Sequence, residues 1–197
     1  MSRSITVFGG SFDPVHDAHV EAARRALSQL PCDEVWFLPA ARAVHKPAGA
    51  TVSPEHRRAM LELALKGRTG LAICDHELGQ GRPMRSVETM RALAREWPDH
   101  RWYFLIGEDS FRDLDAWYEP EELFRIAPPV VAPRPGASGI RAAHWAGIGV
   151  RWLAGDEIDL DSTSLRAALG RGENPGGIDP RVLGYIREHD LYLEQRA

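Results

Sequence analysis

The chain has 197 residues, 44% of them hydrophobic and 26% charged, with a formal net charge of −4 at pH 7. That length suits one well-buried domain and is short for two. The mild acidity excludes a basic field of the kind that binds DNA or RNA, so phosphate binding has to come from a local arrangement.

Short apolar, β-rich runs alternate with helical patterns, the rhythm of strand–helix–strand units around a parallel sheet. Ser4 to Phe8 reads as the first strand. After Asp17, the residues Val20, Ala23, Leu27 and Leu30 recur at spacings of three and four, the buried stripe of a helix. Glu34 to Leu38 is a second strand, and Pro39 to Val52 then breaks the rhythm as a functional loop would. Ser53-Pro54-Glu55 opens another helix, a capping serine followed by proline at the first helical position, with Met60, Leu61, Ala64 and Leu65 facing inward. Leu71 to Cys74 forms a strand, and Ser86 caps a helix through Val87, Met90, Leu93 and Trp97. Strands at Trp102 to Ile106, Val130 to Ala132 and Val150 to Leu153 follow, the last two separated by a Gly- and Ala-rich loop over 134–149. Ser162 or Asp161 caps a further helix, and Asp179-Pro180 opens a final one running to about His189. With no repeat or linker, residues 1–197 are expected to form a single domain.

Cys32 and Cys74 stand 42 residues apart, outside any metal-type spacing, and read as buried thiols. No apolar run approaches the roughly 18 residues needed for a membrane span, and the start, MSRSITVFGG, carries no secretion signal. A reducing cytoplasm is the expected compartment, without membrane or nucleic-acid partners.

Chemistry is densest at Gly9-Gly10-Ser11-Phe12-Asp13-Pro14-Val15-His16-Asp17-Ala18-His19. Two glycines directly after a strand allow a tight turn and close approach of a ligand to the backbone, and the next helix offers amides to an anion. His16 and His19, three apart at that helix start, place both imidazoles on one side. The third glycine of GxGxxG is missing and no Gly-Lys-Ser/Thr follows, so neither the dinucleotide fingerprint nor a Walker loop is present. A metal pair would lack a third nearby ligand, and no metal-ligating set is assigned. Two surface histidines beside a turn are the bland alternative, but glycine turn, helix dipole and paired N–H donors together favour a phosphate clamp. Leu160-Asp161-Ser162-Thr163-Ser164-Leu165-Arg166 is a hydroxyl-rich helix start with an arginine one turn in. Its amides, Ser162, Thr163 and Arg166 could reach one phosphate group; alone it reads better as an ordinary cap with a surface arginine, and paired with the first motif the phosphate reading prevails.

GGSFDPVHDAH is similar to the first signature of the HxGH nucleotidylyltransferase superfamily, G-x-F-D-P-x-H-x-G-H, with Ala18 replacing the glycine of HxGH. The Leu160–Arg166 stretch resembles its ISSTxIR element, with Asp161 in place of the first serine. Within the superfamily, four further stretches resemble nicotinate mononucleotide adenylyltransferases: Pro39 with His45-Lys46, Ile106-Gly107-Glu108-Asp109 with Trp117, Arg134-Pro135-Gly136, and Val182 through Tyr185-Ile186 to Leu191-Tyr192. The matches run nearly end to end and in order. One departs: the family's S-Y-T-x-D-T-L stands here as Met84-Arg85-Ser86-Val87-Glu88-Thr89-Met90, with Arg85 in place of the aromatic.

The resemblance implies a Rossmann-like α/β fold, a parallel sheet flanked by helices. It implies transfer of AMP from ATP to nicotinate mononucleotide, giving deamido-NAD and pyrophosphate in NAD biosynthesis, with Mg²⁺ accompanying ATP. His16, His19, Lys46 and Arg166 would be catalytic. Gly9, Gly10, Ser11, Phe12, Asp109, Arg134, Ser162 and Thr163 would bind ATP, Asp109 through nucleotide hydroxyls. His45, Arg85, Ser86 and Trp117 would bind the acceptor, Trp117 by stacking and Arg85 by drawing the nicotinate carboxylate. The alternatives are a phosphopantetheine or nicotinamide mononucleotide acceptor, or a nucleotide sensor without turnover. Homo-oligomerisation is left open.

Overall fold

Runs such as Ile5-Thr6-Val7-Phe8 and Val35-Trp36-Phe37-Leu38 are apolar without alternation, the pattern of strands buried on both faces. In the computed structural model they lie at the centre of the sheet; the described residues are 2–41, 52–80, 82–133, 149–156 and 158–193. The strands are β1 (Ser4–Gly10), β2 (Glu34–Pro39), β3 (Leu71–Ile73), β4 (Arg101–Gly107), β5 (Pro129–Ala132) and β6 (Arg151–Trp152). All pair in parallel, in the order β3-β2-β1-β4-β5-β6. Phe8 on β1 is level with Phe37 on β2 and Leu105 on β4.

Two layers of helices cover this sheet. On one face, α1 (Asp17–Gln29), α2 (Pro54–Leu65), α6 (Ser162–Gly170) and α7 (Pro180–Glu188) bury Ala23, Met60, Leu61, Leu165 and Val182 against Phe8, Phe37 and Leu105. On the other, α3 (Ser86–Glu96) and α5 (Pro120–Ile126) bury Val87, Met90, Leu93 and Leu123 against Ile5, Val7, Phe104 and Ile106. Truncating a fully buried side chain such as Leu61 or Met90 to alanine would cost about 2–5 kcal/mol. Two helix starts follow the expected chemistry, whereas at α3 the N-cap is Arg85 and the expected cap, Ser86, is the first helical residue. The Ser53 side chain accepts from the His56 amide ahead of Pro54, and the Asp179 side chain accepts from the Arg181 amide ahead of Pro180.

Two short helices lack the apolar stripe of the longer ones: α4 (Glu108–Arg112), leaving β4 directly, and α5, whose Glu121-Glu122 pair reads in sequence as a solvated helix face. At 5 and 7 residues they are too short to display a stripe of 3.6-residue period. Trp36, Trp97 and Trp102 form an aromatic cluster with Trp36 edge-on to both others at 5.3 and 5.8 Å. The irregular stretches after β2 and after β5 lie largely outside the described residues. Among the described residues no helix is long and apolar enough to cross a membrane.

The strand order reverses between β1 and β4. Connections leave these neighbours in opposite directions, so a crevice opens beyond their C-terminal ends, where open α/β sheets bind ligands.

Candidate active site

A cavity of about 910 Å³ occupies that crevice, large enough for more than a small metabolite. Gly9, Gly10, Ser11, Phe12, His16 and His19 line it from the first strand and helix. Ser162, Thr163 and Arg166 line it from α6, and Ser86, Asp109 and Trp117 from the remaining sides. Two ends of the chain, about 150 residues apart, thus face one space, as the phosphate-clamp reading requires. His45, Lys46 and Arg134 lie outside the described residues. Arg85 is a correction: it is absent from the lining, and its guanidinium lies over the Tyr118 ring, 4.0 Å from the centroid.

His16 ends the loop after β1 in an extended conformation and forms the N-cap of α1, which places His19 in the first turn. Their ring centroids are 3.7 Å apart. The His16 amide donates to His19 Nδ1 at 3.3 Å, so Nδ1 presents a lone pair and the proton of the neutral ring sits on Nε2. An edge contact to Phe12 and a tilted one to Phe8, with centroids at 5.1 and 5.9 Å, hold the His19 ring from behind. The arrangement supplies two imidazoles at the positive end of a helix, a setting that favours an anion.

The glycines act differently from the sequence reading. Both remain inside β1, and neither has a positive φ, so the tight turn is not made there. A Cβ on Gly10 would meet the Phe12 ring at 2.9 Å, and one on Gly9 would meet Phe104 at 3.2 Å. Aromatic packing beneath the site therefore demands small residues here. The left-handed residue is Phe12 itself (φ 49), whose buried ring anchors the loop between Phe8 and Phe37.

At the α6 tip, Arg166 Nη1 donates to the Asp13 carbonyl at 2.7 Å, and Ser162 Oγ donates to the Pro14 carbonyl at 3.3 Å. These bonds tie the late helix to the early loop. Asp161 caps α6, accepting from the Thr163 and Ser164 amides at 2.9 Å each. This corrects the expectation that those amides face a phosphate: the carboxylate standing where the superfamily has serine already occupies them. Thr163 Oγ1 accepts from Arg166 Nη2 at 3.2 Å, so the guanidinium and the hydroxyls present the helix tip to the cavity.

Four residues carry roles the sequence reading did not assign. Arg57 is fully buried on α2, donating through Nη1 to the Ser11 carbonyl (2.8 Å) and through Nη2 to the Ala40 and Ala41 carbonyls (2.6 and 3.2 Å). It pins the loop after β1 to the chain leaving β2, and burial pulls its pKa below the usual arginine range. Its signal was available, because Arg57 stands three and four residues before Met60 and Leu61 on the inward stripe of α2. Glu77 lines the cavity yet is buried, with Thr89 Oγ1 donating to its carboxylate at 2.8 Å. Burial pushes its pKa up to about 7. Asp13 and Tyr192 meet through a 2.8 Å hydrogen bond that no local pattern announces.

Strand order, crevice, histidine pair and arginine-bearing helix tip together define a nucleotidyltransferase-type α/β protein. Residues 7–168 match the cytidylyltransferase-like family, and the chain belongs to that family. A Synechococcus sp. (strain JA-3-3Ab) protein named "probable nicotinate-nucleotide adenylyltransferase" is 38% identical, over 98% of this chain and 96% of its own. A relative of the same name from Chromobacterium violaceum is 37% identical, over 98% of this chain and 100% of its own. Among solved structures, Plasmodium falciparum nicotinic acid mononucleotide adenylyltransferase complexed with NaAD shares the fold, with a TM-score of 0.79 at 19% identity, covering 96% of this chain and 97% of that one.

Proposed function

We infer that this protein transfers the AMP unit of ATP to nicotinate mononucleotide, forming deamido-NAD and releasing pyrophosphate in NAD biosynthesis. One observation carries the reading: the His16–His19 pair and the Arg166 helix tip line the same cavity, and that tip is bonded to the loop that leads into the pair. The relatives' shared name, at 37–38% identity over nearly the whole chain, supports the acceptor.

The acceptor phosphate attacks the α-phosphorus of ATP in line and expels pyrophosphate. Because that phosphate is already anionic, no side chain has to serve as nucleophile. The task of the protein is to align two polyanions and to meet charge as it builds on the α- and β-phosphates. His19 offers Nε2–H, His16 shares the same helix end, and Arg166 supplies a fixed positive fork; each such donor is worth roughly 3–4 kcal/mol of barrier. Mg²⁺ enters as part of the ATP substrate, neutralising the triphosphate. Lys46 and Arg134 are assigned to the phosphates, and His45 to the acceptor, on the sequence resemblance. Asp109, at the start of α4, accepts from nucleotide hydroxyls, while Trp117 and Ser86 take the pyridine end. The cytoplasm, which holds ATP and reduced thiols, is the compartment we assign.

Pyrophosphate release from Mg-ATP with nicotinate mononucleotide, nicotinamide mononucleotide, phosphopantetheine or no acceptor tests the reading. Fastest release with nicotinate mononucleotide is expected. Turnover confined to another acceptor would reassign the substrate. ATP binding without release under any condition would make the protein a sensor.

A further inference from the structure

Asp13 is a puzzle for a polyanion site. Its carboxylate is only 3% exposed and stands in the loop that carries the histidines. Its Oδ2 lies 4.0 Å from Arg166 Nη1, too far for a hydrogen bond, although that same nitrogen donates to the Asp13 carbonyl at 2.7 Å. A carboxylate this close to a guanidinium would ordinarily close to a paired fork at about 2.7–2.9 Å. One group that holds it arrives from 179 residues away: the Tyr192 hydroxyl donates to Asp13 Oδ1 at 2.8 Å. Tyr192 reaches this position from a left-handed backbone (φ 66), a conformation disfavoured for residues with a Cβ, immediately after buried Leu191. Burial raises the Tyr192 pKa first of all, and the Asp13 charge raises it further, so the hydroxyl keeps its proton and remains a donor.

We propose that Tyr192 is a positioning residue for adenylyl transfer: by holding the Asp13 carboxylate, it keeps that carboxylate from closing onto Arg166 in a direct hydrogen bond and leaves the guanidinium directed at the ATP phosphates. Without the hydroxyl, Asp13 swings onto Arg166 and competes with the triphosphate for the same donors. Lost charge at the phosphates lowers kcat, and the competing carboxylate raises KM for ATP. The near-terminal tail thus acts on the reaction without touching substrate. This inference rests on the adenylyl-transfer reading above.

Tyr192→Phe removes one oxygen and keeps the ring. We expect kcat/KM for ATP to fall about tenfold, with a thermal midpoint close to wild type. Two further variants separate positioning from packing. In an Arg166→Ala background, Tyr192→Phe should add no loss, because the group it positions is gone; in an Asp13→Asn background it should also add none, because the competing charge is gone. Wild-type activity in Tyr192→Phe, or losses that multiply in both double variants, would overturn the proposal. ATP affinity by calorimetry across the same proteins reads the coupling without turnover. A wild type that binds ATP and transfers nothing would sink the functional reading, while the affinity cycle would still decide on Tyr192.

Discussion

The two ends of the cavity are built on different terms. At the end we assign to the phosphates, the described groups are tied down from inside the protein. Arg57 grips three carbonyls, Phe12 and Phe8 back the His19 ring, and Asp13 joins Arg166 and Tyr192. At the acceptor end, Ser86 and Trp117 are carried on segments latched at the surface, by Arg85 over exposed Tyr118 and by the Arg91–Glu119 ion pair. Exposed ion pairs contribute only about 0–1 kcal/mol. The contrast suits the roles we propose for the two ends. Electrostatic stabilisation of a transition state needs donors that do not reorganise, whereas choosing a substrate tolerates, and over evolution exploits, a replaceable surface. Glu77 is the exception, a buried carboxyl at the pliable end.

The sharpest way to break the comparison is at the rigid end. His19→Ala removes the Nε2 donor and also the lone pair that accepts from the His16 amide. Its kcat should fall by about two orders of magnitude or more, with a smaller change in KM. Near-native turnover in steady-state assays would mean that the histidine pair does not meet developing charge, and the phosphate end would lose its claim to be the catalytic one.

A somewhat smaller effect should appear in stability rather than rate. Between 4.5, the ordinary glutamate value, and about 7, the folded protein holds a proton on Glu77 that the unfolded chain has released. The native state then binds more protons, so stability falls as pH rises through that window. The decline amounts to about 3.5 kcal/mol at most, since each of the roughly 2.5 pH units between the two values is worth about 1.4 kcal/mol. Urea denaturation at pH 4.5 and 7.5 should show this decline in wild type and a flatter profile in Glu77→Gln. An identical slope in both proteins would show that Glu77 ionises without cost, and that the acceptor end is open to water there.

Much of this architecture was legible in the chain itself. All six strands were placed, and the helix starts at Ser53, Asp161 and Asp179 followed from capping chemistry, because both depend on local pattern. The two halves of the phosphate site could be read from residue types at helix starts. What escaped depends on partners distant in sequence. Nothing near Gly10 says that its missing Cβ makes room for Phe12, and nothing near Tyr192 points to Asp13. Asp161 was visible as a substitution, but its consequence, two amides withdrawn from any phosphate, needed coordinates. Arg57 went unassigned: beside Arg58 it looks like half of a solvated pair, and only its phase on α2 sends it inward.

Arg85 offers the finest test of the pliable end, and the smallest expected effect. As sequence alone, a cation replacing the family's aromatic invites a role in attracting the nicotinate carboxylate. Its side chain instead covers Tyr118, which leaves the cavity lining to its neighbours Met84 and Ser86. A cation over an exposed ring is worth about 0.5–1 kcal/mol, enough to steady the segment but not to select a substrate. Arg85→Ala should therefore shift KM for the acceptor by less than about fivefold, the equivalent of 1 kcal/mol. The ratio of kcat/KM for nicotinate over nicotinamide mononucleotide should stay nearly unchanged, because both acceptors meet the same loosened wall. A selective loss of the acid substrate, tenfold or more, would mean that the guanidinium leaves Tyr118 when the acceptor binds, and that charge rather than shape sets the preference at this end.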